Sequence, residues 1–426
     1  MAILKKTAAF FTAVTIAACV TGCADTSYAL KANDEKIKAG IYIDYIYNEM
    51  STQINTLYQT GVTADFLNQK IDGKNFTDYV AEIALDHTKE HAAINDKFNE
   101  LKLKLDDDKI KEINSTVSDT WEQAGDDFEE QGISRESLKE VYLNSAKRTA
   151  IFDYYYAEGG VEEVSNDDLV KYVNDNFLRY KVMSFAKNAQ DEKADKESKD
   201  LRDKYLKMAE GLSFEEFDTV IDAYKKYQEE QNNASSAADS TSDTNSTDDT
   251  KADESSSENT DSSMTEGTLS SYEAEGETES ATDVSADNTS STADDESSAS
   301  DDNSEAENPY PNESMTNYGV LKDSDLESIQ GKALTKIKEL EVGKATAYED
   351  DSSYYIFIKG DIAERSKEYV ADEQNHDTIL YQMKSDDYQK MLDDWVSKIS
   401  YDINDKAIDR YTVEKIYNIQ NEKSKN

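Results

Sequence analysis

The chain of 426 residues has two cysteines, two prolines and three histidines, and its 46 basic side chains face 91 acidic ones. Each scarcity excludes something. Both cysteines, Cys19 and Cys23, stand near the front. The domains beyond them have no free thiol and no disulfide, and their stability rests on packing alone. Phosphate binding needs clustered Lys and Arg, and with a net charge of −45 no nucleic-acid partner is expected. No Gly-rich phosphate loop and no nucleophilic-serine elbow is present, and no cofactor is expected. The two prolines, Pro309 and Pro311, sit together where folded-looking sequence resumes after a long polar stretch. Mean hydropathy is −0.82, yet there are 27 Tyr and 12 Phe, so apolar surface is concentrated in a few segments and is rich in tyrosine.

At the front, Lys5 and Lys6 precede an apolar run from Ala8 to Val20. That run is too short to span a bilayer and reads as an export signal, residues 1–22. Val20-Thr21-Gly22-Cys23 resembles a lipobox, in which the signal is cut and the cysteine is lipidated. A plain secretory signal is the alternative. Acylation of Cys23 with several chains would hold the protein stably on the extracytoplasmic face of the cell membrane.

A second distinctive stretch, residues 231–311, is almost entirely Ser, Thr, Asp, Glu, Ala and Asn. Its roughly twenty acidic side chains face one lysine, Lys251, a composition that buries no core. As a flexible coil its ends average about 50 Å apart. Closing a loop of about 80 residues instead of about 5 costs only about 2.4 kcal/mol. An insertion inside a folded module is therefore tolerable, and neither flank alone contains a complete sheet. Two independent domains on either side are the alternative.

Before the insertion the pattern is mostly helical. Asn33 to Gly40 reads as a turn or hairpin, followed by a helix with Ile41, Tyr45, Ile46, Met50 and Ile54 inward. Val80, Ala84, His87, His91, Ile94, Phe98 and Leu101 form one seam on a helix from about Asn75 to Leu105. A further helix begins at Asp106, Ser134 caps another, and Val164 to Leu169 opens one leading to Tyr180. The stretch Tyr180 to Ala186 predicts a mostly buried strand. A helix from Glu192 to Glu210 ends at Gly211, and Ser213-Phe214-Glu215-Glu216 has capping-box form. Beyond the insertion, Tyr318 to Leu321 predicts a short strand. Ser324 to Glu327 predicts a helix start with Leu326, Ile329, Ala333 and Ile337 on one side. Ala345 to Tyr348 and Tyr354 to Ile358 predict a hairpin. Asp377 to Ser397 predicts a helix with Ile379, Met383, Tyr388, Leu392 and Trp395 on one stripe, and Tyr401 to Tyr417 adds a short segment.

Several of these residues resemble the parvulin-type peptidyl-prolyl isomerase domain. They are Tyr180-Lys181 entering the first strand, Gly211-Leu212-Ser213-Phe214 between helices, Leu340-Glu341-Val342-Gly343 before the hairpin, and Tyr354-Tyr355-Ile356-Phe357-Ile358 as last strand. The order of helices around them resembles extracytoplasmic foldases of the PrsA and SurA type. The resemblance implies an α+β protein. Residues 23–176 form the N-terminal part of a helical chaperone domain, and residues 177–230 and 312–362 form an antiparallel-sheet parvulin-like domain. Residues 231–311 are a disordered insertion, and residues 363–426 are helices completing the chaperone domain.

The resemblance also implies where chemistry would sit. Parvulin domains place two histidines on adjacent strands around the X-Pro bond, with a barrier of about 20 kcal/mol to lower. Here those positions match Ser184 and Tyr355, the third polar position falls near Tyr227 without an assignment, and the proline pocket keeps Leu326 but has Gln330 at its aromatic position. Ser and Tyr both hydrogen bond, so a polar network survives in altered form, with isomerase activity weak or lost. The implied function is a lipid-anchored foldase or chaperone whose partners are unfolded or newly secreted polypeptides, with a homodimer left open. An active isomerase, or a surface adhesion or solute-binding lipoprotein, are the alternatives.

Two further patterns compete with packing. His87-Thr88-Lys89-Glu90-His91 matches H-x-x-E-H, which puts two imidazoles on one helical face where a metal could sit. Both histidines fall on the apolar seam, and packing within it is the stronger reading, so no metal is expected. Tyr154-Tyr155-Tyr156 and Tyr354-Tyr355 could hold extended peptide, though aromatics at this spacing more often fill a core.

Overall fold

The computed structural model describes residues 27–33, 35–239 and 310–423. The export signal, Cys23 and the greater part of the acidic insertion lie outside the described residues. The chain is mostly helical, with small antiparallel sheets.

In chain order the elements begin with β1 (Tyr28–Ala32), β2 (Glu35–Lys38), α1 (Ala39–Gln59), β3 (Lys70–Ile71), β4 (Lys74–Asn75) and α2 (Phe76–Glu100). Next come α3 (Asp107–Gln131), α4 (Arg135–Tyr156), α5 (Asn166–Asn176), β5 (Phe177–Ala186), α6 (Glu192–Met208) and α7 (Asp218–Asp239). After the insertion follow β6 (Ser314–Asn317), α8 (Asp323–Glu327), α9 (Ile329–Glu339), β7 (Thr346–Glu349) and β8 (Ser353–Lys359). The chain ends with α10 (Ser366–Ala371), α11 (Glu373–Lys398), β9 (Tyr401–Ile403), α12 (Asp405–Ile408) and α13 (Val413–Lys423).

The described residues form two compact units, 27–164 with 383–423, and 165–239 with 310–382. This differs from the division expected at 176/177 and 362/363. Helix α5 and the stretch through α10 belong to the second unit because aromatic packing ties them there. Leu169 and Val173 are buried, the Phe177 ring lies 5.9 Å from that of Tyr369, and Asn317 Nδ2 donates to the Tyr172 hydroxyl.

The first unit is a helical bundle. Tyr42, Ile43, Ile46 and Met50 of α1 meet Phe76, Val80 and Ala84 of α2. Ile113, Val117 and Phe128 of α3, Leu138 of α4 and Ile416 of α13 close the same core. Local chemistry sets the helix ends. Asp106 and Ser134 accept backbone N–H groups at the starts of α3 and α4, and Gly132, at φ +101°, ends α3 in the left-handed region. The segment after α11 contributes strand β9, which pairs antiparallel with β1 (Leu30↔Ile403) in a sheet ordered β2-β1-β9.

The second unit is a four-stranded antiparallel sheet ordered β6-β5-β8-β7, with helices on both faces. Strand β5 comes from before the insertion and the other three from after it. The two stretches therefore share one sheet. Alternate residues of each strand face opposite ways. Met183, Phe185, Tyr354, Ile356 and Ile358 pack on Tyr205 of α6, on Phe217 just before α7, and on Val220 and Ile221 in its first turn. Leu178, Tyr180 and Phe357 pack on Ala333, Leu334 and Ile337 of α9.

Three local expectations are corrected. Tyr318–Val320 is a single 3-10 turn rather than a strand, because the Asn317 side chain accepts from the Gly319 N–H and turns the chain; the strand is Ser314–Asn317, four residues earlier. The helix expected from Ser324 is two helices. Ser328 is extended at ψ 164°, and its hydroxyl caps α9 by accepting from the Gly331 N–H. Ile329, expected inward, is exposed. Finally, α7 continues past residue 231 to Asp239.

Candidate functional site

The site grows from the pairing of β5 with β8. Their register sets Ser184 directly opposite Tyr355, Val182 opposite Phe357 and Tyr180 opposite Lys359. Directly paired residues of an antiparallel ladder project from the same face. The two residues expected at the histidine positions therefore stand side by side on the face covered by α9. Both are half-buried.

Tyr355 is one member of an aromatic ladder of three mutually packed rings. Its ring centroid lies 5.9 Å from Tyr348 on β7 and 5.4 Å from Phe357, and Tyr348 and Phe357 are themselves 5.4 Å apart. The two pairs with Phe357 are stacked, at 23° and 26°, and Tyr348 is tilted against Tyr355 at 33°. Strand β7 closes one edge of the sheet, so this ladder runs along the edge of the sheet.

The β7–β8 turn supplies a carboxylate. Asp350 accepts from the backbone N–H groups of Ser352 and Ser353, both at 2.8 Å, and from the Ser352 hydroxyl at 2.9 Å. Partial burial pushes the Asp350 carboxyl up, but these bonds outweigh it and hold the group below its ordinary value. Tyr355 moves the other way: partial burial, then the neighbouring Asp350 charge, raises its hydroxyl above the ordinary tyrosine value. Tyr355 therefore keeps its proton at neutral pH. The pair offers two neutral hydroxyls, able to donate and accept hydrogen bonds but not to exchange protons near pH 7 as imidazoles do.

The remaining expected residues stand elsewhere. Leu326 lies on α8 and Gln330 at the start of α9, both half-buried, and Leu326 is not among the side chains packed on the apolar cluster around Tyr355. The corner between the two helices is tight. A Cβ at Gly331 would overlap the Asp325 carbonyl oxygen and the Leu326 backbone. Tyr227 lies on α7 beside Tyr224, whose ring packs on the other face of the sheet. It cannot complete a triad with Ser184 and Tyr355.

Sequence reasoning missed the residues that hold the two stretches together. Arg179 of β5 bonds Glu313, just before β6, and Glu364, and its guanidinium lies over the Phe214 ring. Lys181 pairs with Asp218 and donates to the Phe214 carbonyl, while Asn312 bonds both Asp218 and Lys225. The only signal for Arg179 and Lys181 was a charged residue at alternate positions of an otherwise buried strand. Nothing local pointed to their partners.

In the first unit, the H-x-x-E-H histidines pack as the seam requires. His91 is 1% exposed and its Nδ1 meets the Tyr45 hydroxyl at 3.1 Å. His87 sits 5.7 Å from the Tyr45 ring, with Nδ1 3.7 Å from Glu90. Among the described residues no group of three His, Cys, Asp or Glu side chains is placed to hold a metal ion, and no helix is long and apolar enough to cross a membrane. No family model, curated protein or solved structure matches this chain.

Proposed function

We propose that this protein is an extracytoplasmic foldase or holding chaperone, tethered to the cell membrane through Cys23, whose second unit is a parvulin-like domain with the catalytic histidines replaced. One observation carries this reading. Two stretches separated by the acidic insertion build one sheet, and the positions matching the family's histidines, Ser184 and Tyr355, are paired across it. Neutral hydroxyls beside an aromatic ladder suit loose binding of extended polypeptide better than the polarisation and twisting of a proline amide. Newly secreted chains are the partners; no cofactor and no nucleic acid enter the reading.

The test uses residues 24–426, purified without the anchor. Suppression of aggregation of a chemically denatured test protein at equal molarity is expected, and its absence would count against the reading. A proline-limited refolding assay on the same material is expected to show little acceleration. Strong acceleration that disappears in Tyr355→Ala or Ser184→Ala would assign an active isomerase instead.

A further inference from the structure

The first unit carries an aromatic surface that the sheet site does not use. Helix α4 ends in Tyr154-Tyr155-Tyr156, and the loop after it folds back onto that end. The N–H groups of Val161, Glu162 and Val164 donate to the carbonyls of Tyr154, Tyr155 and Tyr156 at 3.1, 2.7 and 3.0 Å. These bonds satisfy carbonyls that a helix end leaves open, and they fix the loop. Tyr156 is buried, Tyr155 is half-buried, and Tyr154 is 37% exposed beside Val161, which is 61% exposed. Tyr155 stacks on Trp395 of α11 at 6.2 Å and 30°, and Tyr154 meets Tyr155 edge-on at 5.3 Å.

This cluster already takes cations on its rings. Lys97 Nζ lies 5.0 Å above Trp395, and Lys384 Nζ lies 5.2 Å above Tyr156. Carboxylates stand around it, two of them held by those same lysines: Glu100 pairs with Lys97 at 2.8 Å and Asp387 with Lys384 at 3.4 Å, while Glu162 lies on the loop. Burial comes first in raising the Tyr155 and Tyr156 hydroxyls; Lys97 opposes it at Tyr155, and the charges of Glu100, Glu162 and Asp387 add to it. Ring faces beside carboxylates attract Lys and Arg and repel Asp and Glu.

We infer that the Tyr154–Tyr155–Trp395 surface is a docking site for basic, extended segments of unfolded polypeptide. Lys or Arg heads of the partner sit over the exposed Tyr154 ring beside Glu162, and their methylene stems lie along Val161. The site rests on the chaperone reading for one point only, that the partner is an unfolded chain.

The test uses residues 24–426 carrying Trp121→Phe, which leaves Trp395 as the sole tryptophan. An unstructured Lys/Arg-rich peptide, its Glu-substituted counterpart and a neutral glycan oligomer are titrated against Trp395 fluorescence. Saturable response to the basic peptide alone is expected, weakened about three- to ten-fold by Tyr154→Ser and, separately, by Glu100→Gln with Glu162→Gln. Both sets change exposed side chains, and circular dichroism checks that helicity is kept. Equal response to acidic and basic peptides, a response to the glycan alone, or unchanged affinity in both variants would overturn the assignment. Aggregation assays on the same proteins separate the two readings. Suppression without a Trp395 response removes this surface and leaves the chaperone, whereas saturable basic-peptide binding without suppression removes the chaperone and leaves the surface.

Discussion

Arg179 and Glu313 are 134 residues apart in sequence and 2.9 Å apart in the fold. Their side chains are 6% and 3% exposed, and Arg365 reaches the same carboxylate at 3.2 Å. This junction joins the strand before the insertion to the strand after it. Removing Glu313 takes the shared buried carboxylate from two guanidiniums, although Arg179 keeps Glu364 and Arg365 keeps Glu368. Glu313→Ala is therefore expected to lower the stability of the second unit by about 2–3 kcal/mol, less than for a pair whose survivor has no other partner. Replacing Arg179, Glu313 and Arg365 together by apolar residues of similar volume recovers most of that loss. Both tryptophans, Trp121 and Trp395, lie in the first unit, so the measurement is hydrogen exchange of the β5 and β8 amides. Unchanged protection in Glu313→Ala would show that the junction does not hold the sheet.

The legibility of the fold follows from how local each cause is. Strands β5 and β8 were readable because both faces of the central strands are covered, which gives continuous bulky runs. Gly211 was readable as a stop because its positive φ suits glycine, whereas Gly343, also at positive φ, does not end α9: that helix stops at Glu339, where Leu340 is already extended. The Ser213–Glu216 box forms with both reciprocal bonds. What failed depended on distant partners. Strand β6 is Ser-Met-Thr-Asn, a poor strand by composition, and it is one because Phe177–Tyr180 lies beside it. Strand β9 exists because β1 offers it an edge. The Ser328 break was hidden because Ser324 and Ser328 are both helix-start residues four apart; only Ser328 caps, while α8 opens at Lys322, whose N–H donates to Asp325. For the site, the cross-strand partnership of Ser184 and Tyr355 was legible only through the resemblance, and the Asp350 turn not at all.

Tyr355 separates stacking from hydrogen bonding. Tyr355→Phe keeps the ladder with Tyr348 and Phe357 and is expected to change stability by less than about 1 kcal/mol. Tyr355→Ala removes one of the three rings and is expected to cost about 2 kcal/mol, below the range for fully buried aromatics because the residue is half-buried. If peptide binding uses the hydroxyl, the phenylalanine variant loses affinity while its urea midpoint stays in place. Loss of both together would assign Tyr355 to the core alone.

Gly331 tests the helix corner that carries Leu326 and Gln330. Its backbone is ordinary, but a Cβ would strike the Asp325 carbonyl oxygen and Leu326 Cα, neither of which is a flexible side-chain tip. Gly331→Ala is expected to destabilise by about 1–3 kcal/mol, as overpacking does, despite alanine's better helix propensity. A gain in thermal midpoint would mean that α8 and α9 separate easily.

Asp44 gives the first unit a pH dependence. It is 2% exposed on the inner face of α1, and the Asn48 amide donates to it at 3.1 Å. Burial raises its carboxyl from 3.8 to about 7, with the Asn48 bond opposing. An acid with a raised folded-state pKa holds its proton more tightly when folded. Its contribution to stability is fully present below about pH 4 and drains away as pH climbs through about 7. Asn keeps the shape and an acceptor for Asn48 without the charge. Relative to the native chain, Asp44→Asn should thus gain stability between pH 4 and 7, levelling off on the order of 4 kcal/mol above pH 8. Other carboxylates titrate in the same window, so the quantity to follow is the difference between the two proteins in urea at pH 5.5 and 8.5, read at Trp121. A difference that is the same at both pH values would show that Asp44 is ionised throughout and that the bundle core admits water to it.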